Sequence, residues 1–110
     1  MARLKLLDLR CFETEDVGAD EAYITVRGNK VWSTDGIKSG EQVSLRNVNP
    51  IKFKGEAEVA LWDEDTGMFD SNDQIGKFTV YEDTADQDEQ HYEIKGDGAH
   101  YLLVFKVLEG

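Results

Sequence analysis

The sequence predicts an all-β fold, an eight-stranded antiparallel β-sandwich, on three observations. Period-2 alternation of apolar and polar residues recurs along the chain, while helical periodicity is nearly absent. Glycine-containing turns punctuate the short apolar runs. The 110 residues, 40% hydrophobic with 10 Gly and 1 Pro, suffice for one core and are too few for two. Residues 1–110 are therefore expected to form one domain.

The elements follow in order. The first strand, near 3–10, shifts parity between Leu6 and Leu7, which predicts a bulge or burial on both faces. In "AYITVR", over 22–27, Ala22, Ile24 and Val26 share one face and Tyr23, Thr25 and Arg27 the other. "RGNK" reads as a two-residue Gly28-Asn29 hairpin turn leading into a strand near 30–33. Another strand is expected near 42–46. "EAEVALW", over 56–62, turns Ala57, Val59 and Leu61 inward. In the strand expected near 75–81, Phe78 and Val80 share a face. A strand near 90–94 meets a slightly longer Gly-rich turn, "KGDGA", before "HYLLVFKVL", over 100–108, which is apolar enough to be a central strand.

Charge bounds the function. Lys+Arg 12 against Asp+Glu 23 gives a net charge of -11. Such a chain is repelled by nucleic acid and by bare anionic lipid, so cations and basic partners are its natural ligands. Cys11, the sole cysteine, cannot form an internal disulfide, and no Cys/His spacing offers a zinc site. No apolar run reaches the ~18 residues of a membrane span, and "MARLKLLDLR" lacks a secretory h-region. The expectation is a cytoplasmic chain without a transmembrane segment.

Connectivity then concentrates the acids. If each strand crosses the sandwich once, the connections 11–21, 34–41, 63–74 and 95–99 share one end. That end collects more than half of the chain's 23 acids. Carboxylates about 4 Å apart repel by roughly 4 kcal/mol per pair at an effective dielectric near 20. They must spread into water, share protons or bind a cation. "EDTADQDEQ", at the other end, reads as a solvated loop.

"LWDEDTGMFDSNDQIG", over 61–76, is the segment that calls for the cation. Asp63 and Asp65 leave a strong strand at alternate positions, so both carboxylates can face one ion. Asp70 and Asp73 return before the next strand. Oxygen donors without His or Cys favour Ca2+. An EF-hand loop is excluded, because Met68 stands at the required Gly position, Gln74 at the bidentate Glu position, and the flanks are strands.

These residues resemble a C2 domain. "TEDVGADEAYITV" is similar to the C2 signature in which an acidic loop runs into Asp-Pro-Tyr and a strand, with Glu21, Ala22 and Tyr23 in those three places. "VALWDEDTGMFDSNDQIGKFTV" resembles the C2 strand, third calcium loop and Ile-Gly strand start. Asp63 and Asp65 match its Asp-x-Asp, Asp73 the Asp before Ile75-Gly76. An acidic loop between the first two strands resembles the circularly permuted topology of phospholipases.

The resemblance implies a calcium-binding module, with one or two Ca2+ held between loops 13–21 and 63–73. The ligands it implies are Glu15 or Asp16, Asp20 or Glu21, Asp63, Asp65, and Asp70 or Asp73. It places Val17, Met68 and Phe69 on loop tips, which implies calcium-dependent docking on anionic phospholipid or on a protein partner. Packing of Met68 and Phe69 against the sandwich is the competing reading. The lysine-rich strand that many C2 domains use for phosphoinositides has no counterpart here. The alternative function is a metal-free acidic β-sandwich that binds a basic partner. An enzyme is not expected: His91 and His100 sit on strand faces, Cys11 reads as a small buried hydrophobe, and Trp32 and Trp62 as core or rim packing.

Overall fold

The computed structural model describes residues 1–64 and 72–110. Its strands, in chain order, are β1 (Ala2–Glu13), β2 (Ala19–Asp20), β3 (Ala22–Val26), β4 (Asn29–Ser33), β5 (Ile37–Lys38), β6 (Gln42–Ser44), β7 (Ile51–Phe53), β8 (Glu56–Asp63), β9 (Asp73–Tyr81), β10 (Gln90–Gly96) and β11 (Ala99–Glu109). One sheet runs β10-β11-β1-β6, with β7 also paired to β1; the other runs β4-β3-β8-β9; β2 and β5 form a small ribbon of their own. Every pairing is antiparallel. All eight expected strands are present. The three additional ones, β2, β5 and β7, are two or three residues long, where alternation carries little signal.

The alternating faces close on each other. Leu4, Leu6, Leu9, Leu103 and Phe105 are buried from one sheet, and Ile24, Val26, Val59, Leu61, Phe78 and Val80 from the other. The expected parity shift in β1 is a register irregularity between Leu6 and Asp8, and Leu6 and Leu7 are both buried. The bulge lets one strand bury consecutive leucines, of which Leu6 enters the core between the sheets. Cys11 is buried, as expected of a small hydrophobe.

Two turns differ from their expected form. The first hairpin pairs Val26 with Asn29, so its central residues are Arg27 and Gly28, one position earlier than expected. The second pairs Gly96 with Ala99, leaving a two-residue Asp97-Gly98 turn instead of a longer one. Both central residues have positive φ in each turn, at 51° and 83° and at 51° and 84°. That backbone matches the right-handed twist of flanking strands, and Asp-Gly suits it because both residues tolerate the left-handed region. The segment after β9 is also more ordered than a solvated loop. Residues Glu82–Thr84 form a 3-10 turn, and the Glu82 carboxylate accepts the Gly55 N–H at 2.7 Å.

The two ends of the sandwich sort as connectivity requires. At one end, the β2–β5 ribbon lays connection 14–21 directly against connection 34–41. At the other, Arg27 donates to the Lys52 carbonyl and Glu82 reaches Gly55. Connections 14–21 and 34–41 therefore meet at one pole, where the Asp63 end of β8 and the Asp73 end of β9 also pair.

Candidate metal centre

At that pole two groups of carboxylates form, each with one oxygen per residue inside 4.8 Å of the others: Glu15, Asp16 and Asp63, and Glu15, Asp73 and Asp97. Glu15 belongs to both. The residues come from three separate parts of the fold: the loop after β1, the facing ends of β8 and β9, and the β10–β11 turn. Four of the expected residues, Glu15, Asp16, Asp63 and Asp73, are thus brought together. Asp97 joins them although no motif singles it out. Its signal was positional, since connectivity already places 95–99 at this pole.

Asp63 anchors the first group. It ends β8, and its backbone pairs with Ala22 of β3. Its Oδ1 accepts the Glu21 N–H at 2.9 Å, while Oδ2 is buried without a hydrogen-bond partner among the described residues. Oε2 of Glu15 is in the same condition. Buried polar atoms are nearly always satisfied, so two orphaned carboxylate oxygens in one cluster call for a proton shared with a neighbouring carboxyl or for a cation.

The electrostatics agree. Burial, and next the neighbouring carboxyl of Asp73, push Glu15 up to about 8. Burial, and next the Asp16 carboxyl and the charge of Asp20, push Asp63 up to about 7, against the pull of the Glu21 N–H. Each is an acid poorly served as an anion by the protein alone. The donors are all hard oxygens, without His or Cys, which suits calcium better than zinc or copper.

Asp20 and Glu21 stand outside both groups. Asp20 is 0% exposed and its oxygens face the protein: Oδ2 accepts from the Tyr101 hydroxyl at 2.6 Å and from the Glu15 N–H at 2.9 Å, and Oδ1 from the Asp16 N–H at 2.9 Å. Burial and the Asp20 carboxylate hold the Tyr101 hydroxyl far above its ordinary pKa, so it remains a donor. Glu21 contributes backbone groups, donating to Asp63 and accepting from the Glu64 N–H at 2.9 Å. Val17, between these loop residues, is 106% exposed. Asp65, Met68, Phe69 and Asp70 lie outside the described residues.

The aromatic and histidine expectations resolve locally. Trp62 donates from Nε1 to Thr25 at 3.0 Å and stacks on Tyr23 with centroids 5.9 Å apart, on the outer face of its sheet. His100 lies against Phe12 at 4.7 Å.

The architecture is that of a C2-type β-sandwich. The chain is similar to a structure of the C2A and C2B domains of extended synaptotagmin 2, at TM-score 0.55 and 17% identity, covering 96% of this chain and 40% of that one. It thus spans well under half of that two-domain structure. It is also similar to a structure of a C2 domain, at TM-score 0.50 and 16% identity, covering 97% and 96% of the two chains. At such identities the likeness shows the fold. No family model matches the chain, and no curated protein sequence does.

Proposed function

We propose that the protein is a calcium-binding C2-like module, holding one or two Ca2+ between loops 13–21 and 63–73. The observation that carries this reading is the pair of buried, unpartnered oxygens, Asp63 Oδ2 and Glu15 Oε2, inside a cluster of carboxylates. Carboxylate oxygens 4.8 Å apart repel by about 3 kcal/mol per pair at an effective dielectric near 20. A divalent cation among them adds an attractive term to each carboxylate that can outweigh the repulsion between them. Glu15, Asp16, Asp63 and Asp73 are the proposed ligands, with Asp97 added from the β10–β11 turn and Asp65 and Asp70 from the sequence.

The test is thermal unfolding with millimolar calcium and with chelator, alongside calorimetry on wild type and on Asp63→Asn/Asp65→Asn. Calcium should raise the melting temperature by mass action and the double variant should not respond. An unchanged melting temperature, with strongly salt-sensitive binding of a basic partner, would instead support the metal-free acidic module.

The module is read as a docking device rather than a catalyst. Among the described residues, two surface recesses of about 240 and 500 Å³ are lined by residues other than the clustered carboxylates. Val17, fully exposed beside the cluster, supports calcium-dependent docking on anionic phospholipid. Burying it is worth roughly 1.5–3 kcal/mol, enough for weak and reversible attachment only. Cosedimentation with anionic vesicles checks this: pelleting should require calcium and be lost in Val17→Asp.

A further inference from the structure

We infer that Asp20 is the positioning residue of the acidic loop and not a ligand of its ion, and that the buried hydroxyl of Tyr101 fixes it in that role. The inference rests on the calcium reading above and deepens it.

Asp20 and Asp63 are the two buried charged residues among those described, and their surroundings differ in kind. Asp63 keeps an oxygen without a partner, while both oxygens of Asp20 are engaged. Two of its three donors are the backbone N–H groups of Glu15 and Asp16, the residues whose carboxylates enter the cluster. A carboxylate that accepts both amides holds the backbone of the loop in one conformation, and so sets where the two side chains start.

The third donor ties this arrangement to the core. Tyr101 is 0% exposed and pairs with Cys11 across β11 and β1, next to the register irregularity between Cys11 and Glu13 where β1 leads into the acidic loop. Asp20 itself is held in β2 opposite Ile37 of β5. Oδ2 already takes two donors, so an ion could reach Asp20 without displacing Tyr101 or the Glu15 amide only through Oδ1, beside the Asp16 N–H, on a residue that is 0% exposed.

The two roles give opposite signs for one substitution. Tyr101→Phe removes the hydroxyl at nearly constant volume. If Asp20 positions the loop, its orientation loosens and calcium affinity falls, by about 10- to 100-fold as for other groups that orient metal ligands. If Asp20 is a ligand, losing the competing Tyr101 bond leaves affinity unchanged or higher.

The experiment is a calorimetric calcium titration of wild type and Tyr101→Phe at a temperature where both are folded. Beside it, amide hydrogen exchange of Glu15 and Asp16 is measured in wild type with and without calcium. The expected result is weaker binding in the variant and wild-type amides protected in both states. Unchanged or tighter binding in Tyr101→Phe overturns the inference, as does loss of amide protection when calcium is added. Should the variant fail to fold, the wild-type exchange alone decides. If wild type takes up no calcium, the calcium reading falls, and protection of the two amides in the metal-free protein still decides whether Asp20 holds the loop.

Discussion

Asp63 and Glu21 grip each other at the acidic pole: the Glu21 N–H donates to Asp63 Oδ1 at 2.9 Å, and the Glu21 carbonyl accepts the Glu64 N–H at 2.9 Å. The β8 terminus is thereby locked to the start of β3, and the second oxygen of Asp63 is committed to the cluster side. A rigid backbone around an unsatisfied carboxylate is destabilising without a cation and favourable with one.

Asp63→Asn should therefore stabilise the calcium-free protein while abolishing its calcium response. The amide keeps an oxygen for the Glu21 N–H and presents an NH2 to its acidic neighbours. A hydrogen bond to a charged group contributes about 1.5–3 kcal/mol, and a domain of this size shifts roughly 4–8 °C per kcal/mol. Differential scanning calorimetry in chelator should show a melting temperature several degrees above wild type. A lower one would mean that Asp63 serves the fold, not an ion.

The pH dependence should change sign with calcium. Glu15 at about 8 and Asp63 at about 7 lie above their ordinary values of 4.5 and 3.8, so the folded metal-free chain binds more protons than the unfolded one between those limits. Their contribution is therefore most favourable below about pH 4 and is lost as pH rises through 7 and 8. Bound calcium holds both groups ionised, and protons compete with it. The calcium-induced rise in melting temperature should thus grow from pH 5.5 to pH 8, measured by paired melts at each pH. A shift independent of pH would remove Glu15 and Asp63 from the site.

Asp97→Asn tests the residue that no motif singled out. Its group with Glu15 and Asp73 is more open than that around Asp63, so the expected loss is smaller, about tenfold in calcium affinity or ~1.4 kcal/mol. Fold stability in chelator should rise slightly, because one like charge leaves the cluster. Calorimetric affinity equal to wild type would confine the site to the loops after β1 and β8.

Much of this was legible in the residues, for reasons that also mark where legibility stops. Alternation exposes the long strands, as in β3 and β8; of the strands of two or three residues it found β6 and missed β2, β5 and β7. Counting crossings brought Glu15, Asp63 and Asp97 to one pole, because each long strand must traverse the sandwich. Direction of a side chain is another matter. Asp20 and Glu21 are adjacent acids that the C2 resemblance cannot separate, and the bond that separates them comes from Tyr101, 81 positions away. Within "HYLLVFKVL" a tyrosine reads as one more core aromatic. The acids of 65–71 lie outside the described residues, so their share of the site stands on the sequence.

The closest approach across the seam between the sheets yields the last prediction. A Cβ built on Gly96 would stand 1.9 Å from the Ile75 carbonyl oxygen and 3.0 Å from its carbon. Those are backbone atoms of β9 and cannot rotate away, so Gly96→Ala must part β9 from β10. Gly76, on β9, meets the Cγ2 of buried Ile94 at 2.7 Å, a side-chain methyl rather than backbone, with its next neighbours, including the Lys95 carbonyl oxygen, at 3.9 Å. Overpacking of the first kind should cost about 2–3 kcal/mol and of the second about 1 kcal/mol. The two differ more sharply in calcium binding. Gly96 adjoins Asp97, and Ile75 lies two residues from Asp73, so parting them separates two carboxylates of one group. Urea midpoints should rank wild type above Gly76→Ala and Gly76→Ala above Gly96→Ala, with calcium affinity reduced in Gly96→Ala alone. Equal affinities in both variants would show that the seam supports the fold without holding the site.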